Sequence, residues 1–378
     1  MDFRPSQQHS DTVDMVSRFV DDEIKPRASE IDDRDEFPAD LVEDMAELGL
    51  MGMPFPEEYG GAEMDYHTYV SAVEEIARGS GGVGTVVAAH TSLASNMVYE
   101  FGDETQRDEY LTPLARGVEI GAFALSEAGA GSDVKAMETT AEPSEDGDSY
   151  VVEGGKLWTS NGSVADTVVV FAKTGDQGIS SFVMRPDEDE GFVIEGKEDK
   201  LGDRGCPTAE LSFDEVRIPR ERRLGGEGDG FVQALKTLNG GRISIAARSI
   251  GIARAALEDA LEYSQGREQF GGPISDFQAV QHKLAEMDTK VNAARLLTHR
   301  AADLKIRGED YVKESAEAKL FASRTSREVA NEAIQIHGGY GYVKDFDVER
   351  YWRDSKINEI YEGTSEVLKN AVARQMLD

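Results

Sequence analysis

Cysteine, histidine and lysine are all scarce in this chain of 378 residues. Its one cysteine, Cys206, has no partner for an intrachain disulfide and cannot alone build a multi-cysteine metal site. A reducing, cytoplasmic setting is the expectation that follows. The six histidines stand with no cysteine or carboxylate at a metal-ligand spacing, so no metal is expected. The G-x-S-x-G elbow of serine hydrolases is missing. No apolar run approaches the ~20 residues that a membrane-spanning helix needs. The N-terminal MDFRPSQQHSDTVD has neither a basic n-region nor an apolar core, so it does not read as a secretory leader. Forty lysines and arginines face 73 acids, a net charge of −33. That balance argues against nucleic acid as a partner, because phosphate is drawn to a positive field. The acids run through the whole chain instead of forming a tail, and arginine outnumbers lysine. Such a surface suits a protein kept hydrated in high salt, where self-repulsion is screened; a halophilic environment is expected.

The 39% hydrophobic content is that of a globular protein, and the length points to two or three domains or one large one. Three textures follow one another. Residues 1–119 read as helical: Val13, Val16, Val20 and Ile24 recur at spacings of three and four, as do Leu41, Met45 and Leu48 before Gly49, and Val70, Val73, Ile76 and Ala77. Residues 120–225 turn to short segments rich in Val, Phe, Thr and Ser. Strands are expected at Val151-Val152, Thr167 to Phe171, Ser181 to Met184, Phe192 to Ile194 and Ala209 to Val216. Arg220 to Gly230, charged and glycine-rich, reads as a linker. Residues 226–378 return to long helical periods, at Phe231 to Gly266, Asp276 to Arg307, Tyr311 to Ile336 and a shorter run after Thr364. The expected fold is α+β and multidomain: an N-terminal helical domain, a middle β-barrel or sandwich, and a C-terminal four-helix bundle. There is no internal repeat.

Six stretches bear on chemistry. Gly79-Ser80-Gly81-Gly82-Val83-Gly84 matches G-x-G-x-x-G, but a helix precedes it and no βαβ pattern surrounds it, so a helix-to-helix connection is the better reading. Phe123 to Asp133 runs from a strand into small residues, either a plain turn or a loop whose N–H groups face an anion or a heterocycle edge. Lys156 to Gly162 sets Trp158 beside the hydroxyls of Thr159 and Ser160; the tryptophan is either core or the wall of a flat ligand. Arg267-Glu268-Gln269-Phe270-Gly271, with Gln278 beyond, is a helix-end charge or a phosphate holder. Gln335 to Gly341 is a glycine-capped helix end that also admits a pyrophosphate, with His337 structural. Ile360 to Glu366 places Glu362 beside Gly363, as a solvated charge or as a base pressed against a ligand.

Together and in this order these stretches resemble one family, the flavin-dependent acyl-CoA dehydrogenases, over nearly the whole chain. The sharpest parts are LSEAGAGSD, KLWTSNG, LGDRGCPTAELSFDEVRIP, RISIAARSIGIARAALEDALEY, REQFG with Gln278, QIHGGYGY and IYEGTSE. Short-chain, butyryl-CoA-like members look nearest. The resemblance implies FAD clasped between the β module and the bundle. Phe123, Leu125, Ser126, Gly131 and Ser132 would line the flavin, with Ser132 also touching the CoA arm. Trp158, Thr159 and Ser160 would pack beside the ring, Ser160 standing where the family usually has threonine. Arg267, Phe270, Gln278, Gln335, Gly338 and Gly339 would hold the adenine end and pyrophosphate, partly across a subunit interface, which implies a homotetramer. Thr364, Ser365 and Glu366 would also reach FAD. Asn239, Arg242 and Gly363 would meet the acyl-CoA; many relatives have aspartate in place of Asn239.

Glu362 matches the catalytic base. Some relatives carry that base near Gly241 instead, where a glycine cannot do the work, and this strengthens Glu362. By resemblance, the α-proton of a saturated acyl-CoA leaves to Glu362 while a β-hydride passes to flavin N5, giving the trans-2-enoyl-CoA. An electron-transfer flavoprotein would then take the electrons. The thioester oxygen would be held by the N–H of Glu362 and a ribityl hydroxyl. A thioester α-proton is too weakly acidic for a carboxylate of ordinary pKa, so burial must raise that of the base. Two other readings stand beside this one: an oxidase or related flavoenzyme of the same fold using oxygen, and a non-catalytic acidic protein that binds acyl-CoA. No arginine lies between Ala88 and Tyr99, the expected pocket floor, which favours a plain aliphatic acyl chain.

Overall fold

The computed structural model describes residues 6–377; the first five residues of the stretch read as lacking a leader lie outside the described residues. Eight helices come first: α1 (Gln7–Phe19), α2 (Ala28–Arg34), α3 (Ala39–Glu47), α4 (Tyr66–Gly79), α5 (Gly81–Ala88), α6 (Asn96–Phe101), α7 (Glu104–Gln106) and α8 (Thr112–Ala115). Val16, Val20 and Ile24 are buried, as their spacing requires. Asp65 starts α4 by accepting a hydrogen bond from the Thr68 N–H at 2.7 Å. Ser80 ends α4 and starts α5, its hydroxyl oxygen accepting from the Val83 N–H at 3.4 Å. The Gly79–Gly84 stretch is thus a helix junction. A Cβ at Gly82 would strike the Arg204 carbonyl of the next domain, so this glycine allows two domains to touch.

The middle domain has strands β1 (Gly121–Ala124), β2 (Thr140–Pro143), β3 (Ser149–Ser160), β4 (Thr167–Lys173), β5 (Ile179–Met184), β6 (Phe192–Lys197), β7 (Thr208–Pro219) and β8 (Arg223–Leu224). They form one eight-stranded sheet, ordered β6-β7-β3-β2-β4-β5-β8 with β1 parallel to β4. Alternation along β4 covers both faces. Val168, Val170 and Ala172 pack on Tyr150, Leu211 and Phe213, while Val169 and Phe171 pack on Met97, Leu111 and Leu114 of the helical domain. β3 and β7 pair with register shifts at Val152/Gly154 and Lys156/Thr159. Such bulges bend long strands and re-aim side chains. The stretch expected to be a linker supplies β8, which pairs with β5.

The last part holds α9 (Gly230–Gly266), a hairpin of β9 (Glu268–Gln269) and β10 (Gly272–Pro273), then α10 (Gln278–Ile306), α11 (Val312–His337), α12 (Val348–Ile357) and α13 (Ser365–Leu377). Alanines at 246, 253, 256, 318, 322 and 330 let α9 and α11 pack closely. α12 escaped the periodicity because its buried face carries Arg350, Asp354 and Ser355 beside Val348 and Tyr351. The expected domain limits fall between α8 and β1 and between β8 and α9.

Arg248 of α9 is fully buried where the three parts meet. It donates to the Gly81 carbonyl at 3.0 Å, to Asp203 Oδ1 and to Asn358 Oδ1. Asp203 also accepts from the Thr85 hydroxyl at 2.8 Å, and its N–H donates to Asp354 Oδ1 at 2.6 Å. Cys206 is buried at the same seam, its Sγ 3.7 Å from Asn161 Oδ1.

Candidate active site

Glu362 sits in the short link between α12 and α13 with φ of 50°, followed by Gly363 at 101°. The left-handed region costs a non-glycine residue on the order of 1–3 kcal/mol and persists only where its surroundings enforce it. Lys319 of α11 does so here. Its side chain is fully buried, and Nζ donates to the carbonyls of Tyr361 and of Gly363, the latter at 2.6 Å. The Glu362 side chain points at α9. Its Oε2 is shielded from solvent and has no hydrogen-bond partner. A Cβ on Gly241 would run into that oxygen and stand 2.8 Å from Leu93 Cδ2, so the glycine makes the room the carboxylate occupies.

Burial raises the pKa of Glu362, against the charges of Lys319, Arg242 and Arg248, in that order. Burial depresses that of Lys319, against the pull of Glu362. Arg242 donates to Asn239 Oδ1 at 2.7 Å, while its Nε is buried without a partner. Two of the residues expected to meet the acyl-CoA, Asn239 and Arg242, therefore hold each other one turn apart. Tyr66 and Tyr69 of α4 stand behind α9: the Tyr66 hydroxyl donates to the Gly240 carbonyl at 3.2 Å, and the Tyr69 hydroxyl lies 3.4 Å from Ser244 Oγ.

A second group gathers around the start of the sheet. Trp158, at the Lys156/Thr159 bulge, has φ of 62° and is 60% exposed. Thr159 Oγ1 is buried without a partner. The Leu157 N–H donates to the Ser126 carbonyl at 2.9 Å, tying this turn to the loop after β1. That loop is pinned by a buried ion pair. Lys156 Nζ donates to Glu127 Oε1 at 2.6 Å and to the Leu125 carbonyl at 3.3 Å, while Glu127 accepts from the N–H groups of Glu138 and Thr139. Burial pulls the pKa of Lys156 down to about 8. Gly131 has no atom within 4 Å of a would-be Cβ, and Ser132 is exposed beside it. Phe123 packs edge-on against Phe171 at 4.9 Å. An orphaned hydroxyl, an exposed tryptophan in a strained bend and an open glycine loop fit a flat, polar-edged ligand such as flavin.

A third group lies apart. Arg267, Gly338 and Gly339 line a 650 Å³ cavity with Tyr263, His337 and Tyr340, and none of the residues around Glu362 contributes to it. The Arg267 guanidinium lies over the Tyr340 ring at 5.6 Å. His337 stacks on Tyr263 at 4.1 Å, with Nδ1 2.8 Å from the Ala333 carbonyl, and is structural. Phe270, at the tip of the β9–β10 hairpin, is 96% exposed; Gln278 opens α10, and Gln335 is exposed beside the cavity. Near Glu362, the Thr364 hydroxyl oxygen accepts from the Val367 N–H at 3.2 Å and so caps α13, which begins Ser365-Glu366. Lys319, Lys156, Glu127 and Arg248 were missed as site residues. One signal was available for Lys319: it shares a helical face with Ser315, Ala322, Ser323 and Ser326, all buried.

Three family profiles account for almost the whole chain: the acyl-CoA dehydrogenase N-terminal domain over residues 6–118, middle domain over 122–216 and C-terminal domain over 228–377. The chain belongs to the acyl-CoA dehydrogenase family. Among curated relatives, the short-chain-specific acyl-CoA dehydrogenase of Clostridium acetobutylicum is 45% identical over 377 residues, covering 99% of each chain. Among solved structures, butyryl-CoA dehydrogenase from Megasphaera elsdenii is 40% identical with a TM-score of 0.97, covering both chains completely. A chain from a structure described as the electron transferring flavoprotein of Acidaminococcus fermentans is 44% identical, with a TM-score of 0.97 and complete coverage of both chains. An acyl-CoA dehydrogenase is an oxidoreductase, and its three-domain fold is the one described above.

Proposed function

We propose that this protein converts a saturated acyl-CoA to the trans-2-enoyl-CoA, with Glu362 as the base. The observation that carries this reading is the carboxylate oxygen Oε2 of Glu362, which is shielded from water, lacks a hydrogen-bond partner and faces the gap at Gly241. A solvated surface charge needs no such gap. Burial raises its proton affinity toward that of a base that works near neutral pH. Among the described residues, the N–H of Glu362 has no backbone acceptor. It is available to the thioester oxygen as negative charge develops there; an oxyanion donor of this kind contributes about 2.7–4 kcal/mol.

The residues around Trp158 and the loop from Leu125 to Ser132 would hold the isoalloxazine of FAD, with the orphaned Thr159 hydroxyl and Ser160 at its edge. Arg267, Gly338 and Gly339 would hold the pyrophosphate end, in a second subunit's complex, within a homotetramer. FAD bound there supplies the acceptor for the β-hydride. Glu362 breaks the α C–H bond and keeps its proton as the C=C bond forms. Asn239, Arg242 and Gly363 would border the acyl-CoA, and an electron-transfer flavoprotein would take up the electron pair. The deciding experiment is anaerobic bleaching of the bound flavin by butyryl-CoA. Glu362→Gln is expected to keep its FAD and to lose a factor of ~10²–10⁴ in bleaching rate. Near-normal bleaching by that variant removes Glu362 from the role.

A further inference from the structure

We propose that Lys319 is the positioning residue of the base: its side chain clamps the two carbonyls that flank Glu362 and places a titratable cation beside it. The proposal rests on Glu362 being the base. Its ground is geometric. Lys319 projects from α11 into a fully buried position and donates to the carbonyls of Tyr361 and Gly363, the residues immediately before and after Glu362. Those bonds hold the link that carries Glu362 at φ of 50°. A neutral amide can also bridge two carbonyls, and burying an unpaired ammonium costs several kcal/mol. A lysine in this place makes sense if its charge has a use.

The charged and titratable groups facing Glu362 narrow what that use is. From α9 come Arg242, bonded to Asn239, and Arg248, neutralised by Asp203. From α4 come the hydroxyls of Tyr66 and Tyr69, both kept neutral by burial. On its own segment stand Tyr361, also held neutral by burial, and Glu359, which pairs with Arg327 and Lys356. Lys319 thus stands beside the base with no carboxylate of its own, as Arg242 does, and burial lowers its own pKa so that it and Glu362 titrate together. It acts on Glu362 through space, and its influence is the largest of the charges that oppose the effect of burial there. Without it, the base would hold its proton to higher pH.

The test compares wild type, Lys319→Gln, Lys319→Met and Lys319→Arg, each loaded with FAD, by the pH dependence of anaerobic flavin reduction with butyryl-CoA. FAD stoichiometry and thermal midpoint are measured beside it. Wild-type protein whose bound flavin is not reduced by butyryl-CoA or any other acyl-CoA defeats the base reading itself, whatever the variants do. With wild type active, Lys319→Gln keeps the two donors and loses the charge. Its FAD content and midpoint are expected to stay near wild type while the acid limb moves up by about one pH unit. Lys319→Met loses both and is expected to fall more than ~10-fold at every pH, because the strained link loses its clamp. Lys319→Arg makes the charge permanent and is expected to leave the limb in place or lower it. An unmoved limb in Lys319→Gln overturns the proposal and leaves Lys319 a structural clamp. If Lys319→Gln does not fold, a limb displaced upward in Lys319→Arg overturns it equally.

Discussion

Gly241 matters for the atom it lacks. One methyl there would occupy the space of Glu362 Oε2 and crowd Leu93. Gly241→Ala is therefore expected to keep its FAD but to lose about 10²-fold in the rate of flavin reduction, the scale that a misplacement of ~1 Å costs a positioned catalytic group. Stopped-flow reduction with butyryl-CoA measures it, and a wild-type rate would mean that the carboxylate swings aside freely. Glu362 and Gly241 were both legible in the sequence, one for its glycine neighbour and one for what it could not be. Lys319 was not singled out: the small residues on its helical face were its one signal, and a lysine in an amphipathic helix reads as solvent-facing until the packing of α11 shows otherwise.

Among the elements, β3 carries the most consequence. Its bulge turns Trp158 outward, and Lys156, two residues earlier, turns inward to pin the loop after β1 through Glu127. Breaking a buried pair by removing one partner leaves a charge without compensation and costs about 3–5 kcal/mol. Lys156→Met is expected to lower the unfolding free energy by that amount and to release FAD, as measured by chemical denaturation and by flavin-to-protein ratio. Unchanged stability with full flavin would show that Glu127 accepts solvation or a proton at little cost. The long helices α9, α10 and α11 were read to within a few residues because their alanine-rich periods are unbroken. The elements that escaped did so for physical reasons: α12 buries charge, β2 has only four residues, and β8 is a two-residue edge strand inside a glycine-rich turn. The bulge at Trp158 was illegible too, since no pattern of residue types announces a register shift.

For the whole molecule, net charge governs the response to the medium. At −33 the folded chain repels itself, and the screening length shrinks from ~10 Å at 0.1 M salt to ~3 Å at 1 M. Many exposed ion pairs also weaken with salt, but each contributes only about 0–1 kcal/mol. The thermal midpoint is expected to climb by a few degrees as KCl is raised from ~0.1 to ~1 M. A midpoint that falls over this range argues against adaptation to high salt. The order of domains was legible because texture changes twice along the sequence. The seam where they meet was not: Arg248, Asp203 and Asp354 come from distant positions and share no motif.

Cys206 lies in that seam, and burial lifts its thiol pKa to about 12. In the closed protein it is both shielded and almost entirely unionised, so an alkylating reagent finds no thiolate to attack. The chain therefore carries a single built-in chronometer. The rate at which a maleimide captures this sulfur counts how often the three domains part, and no label has to be engineered to read it.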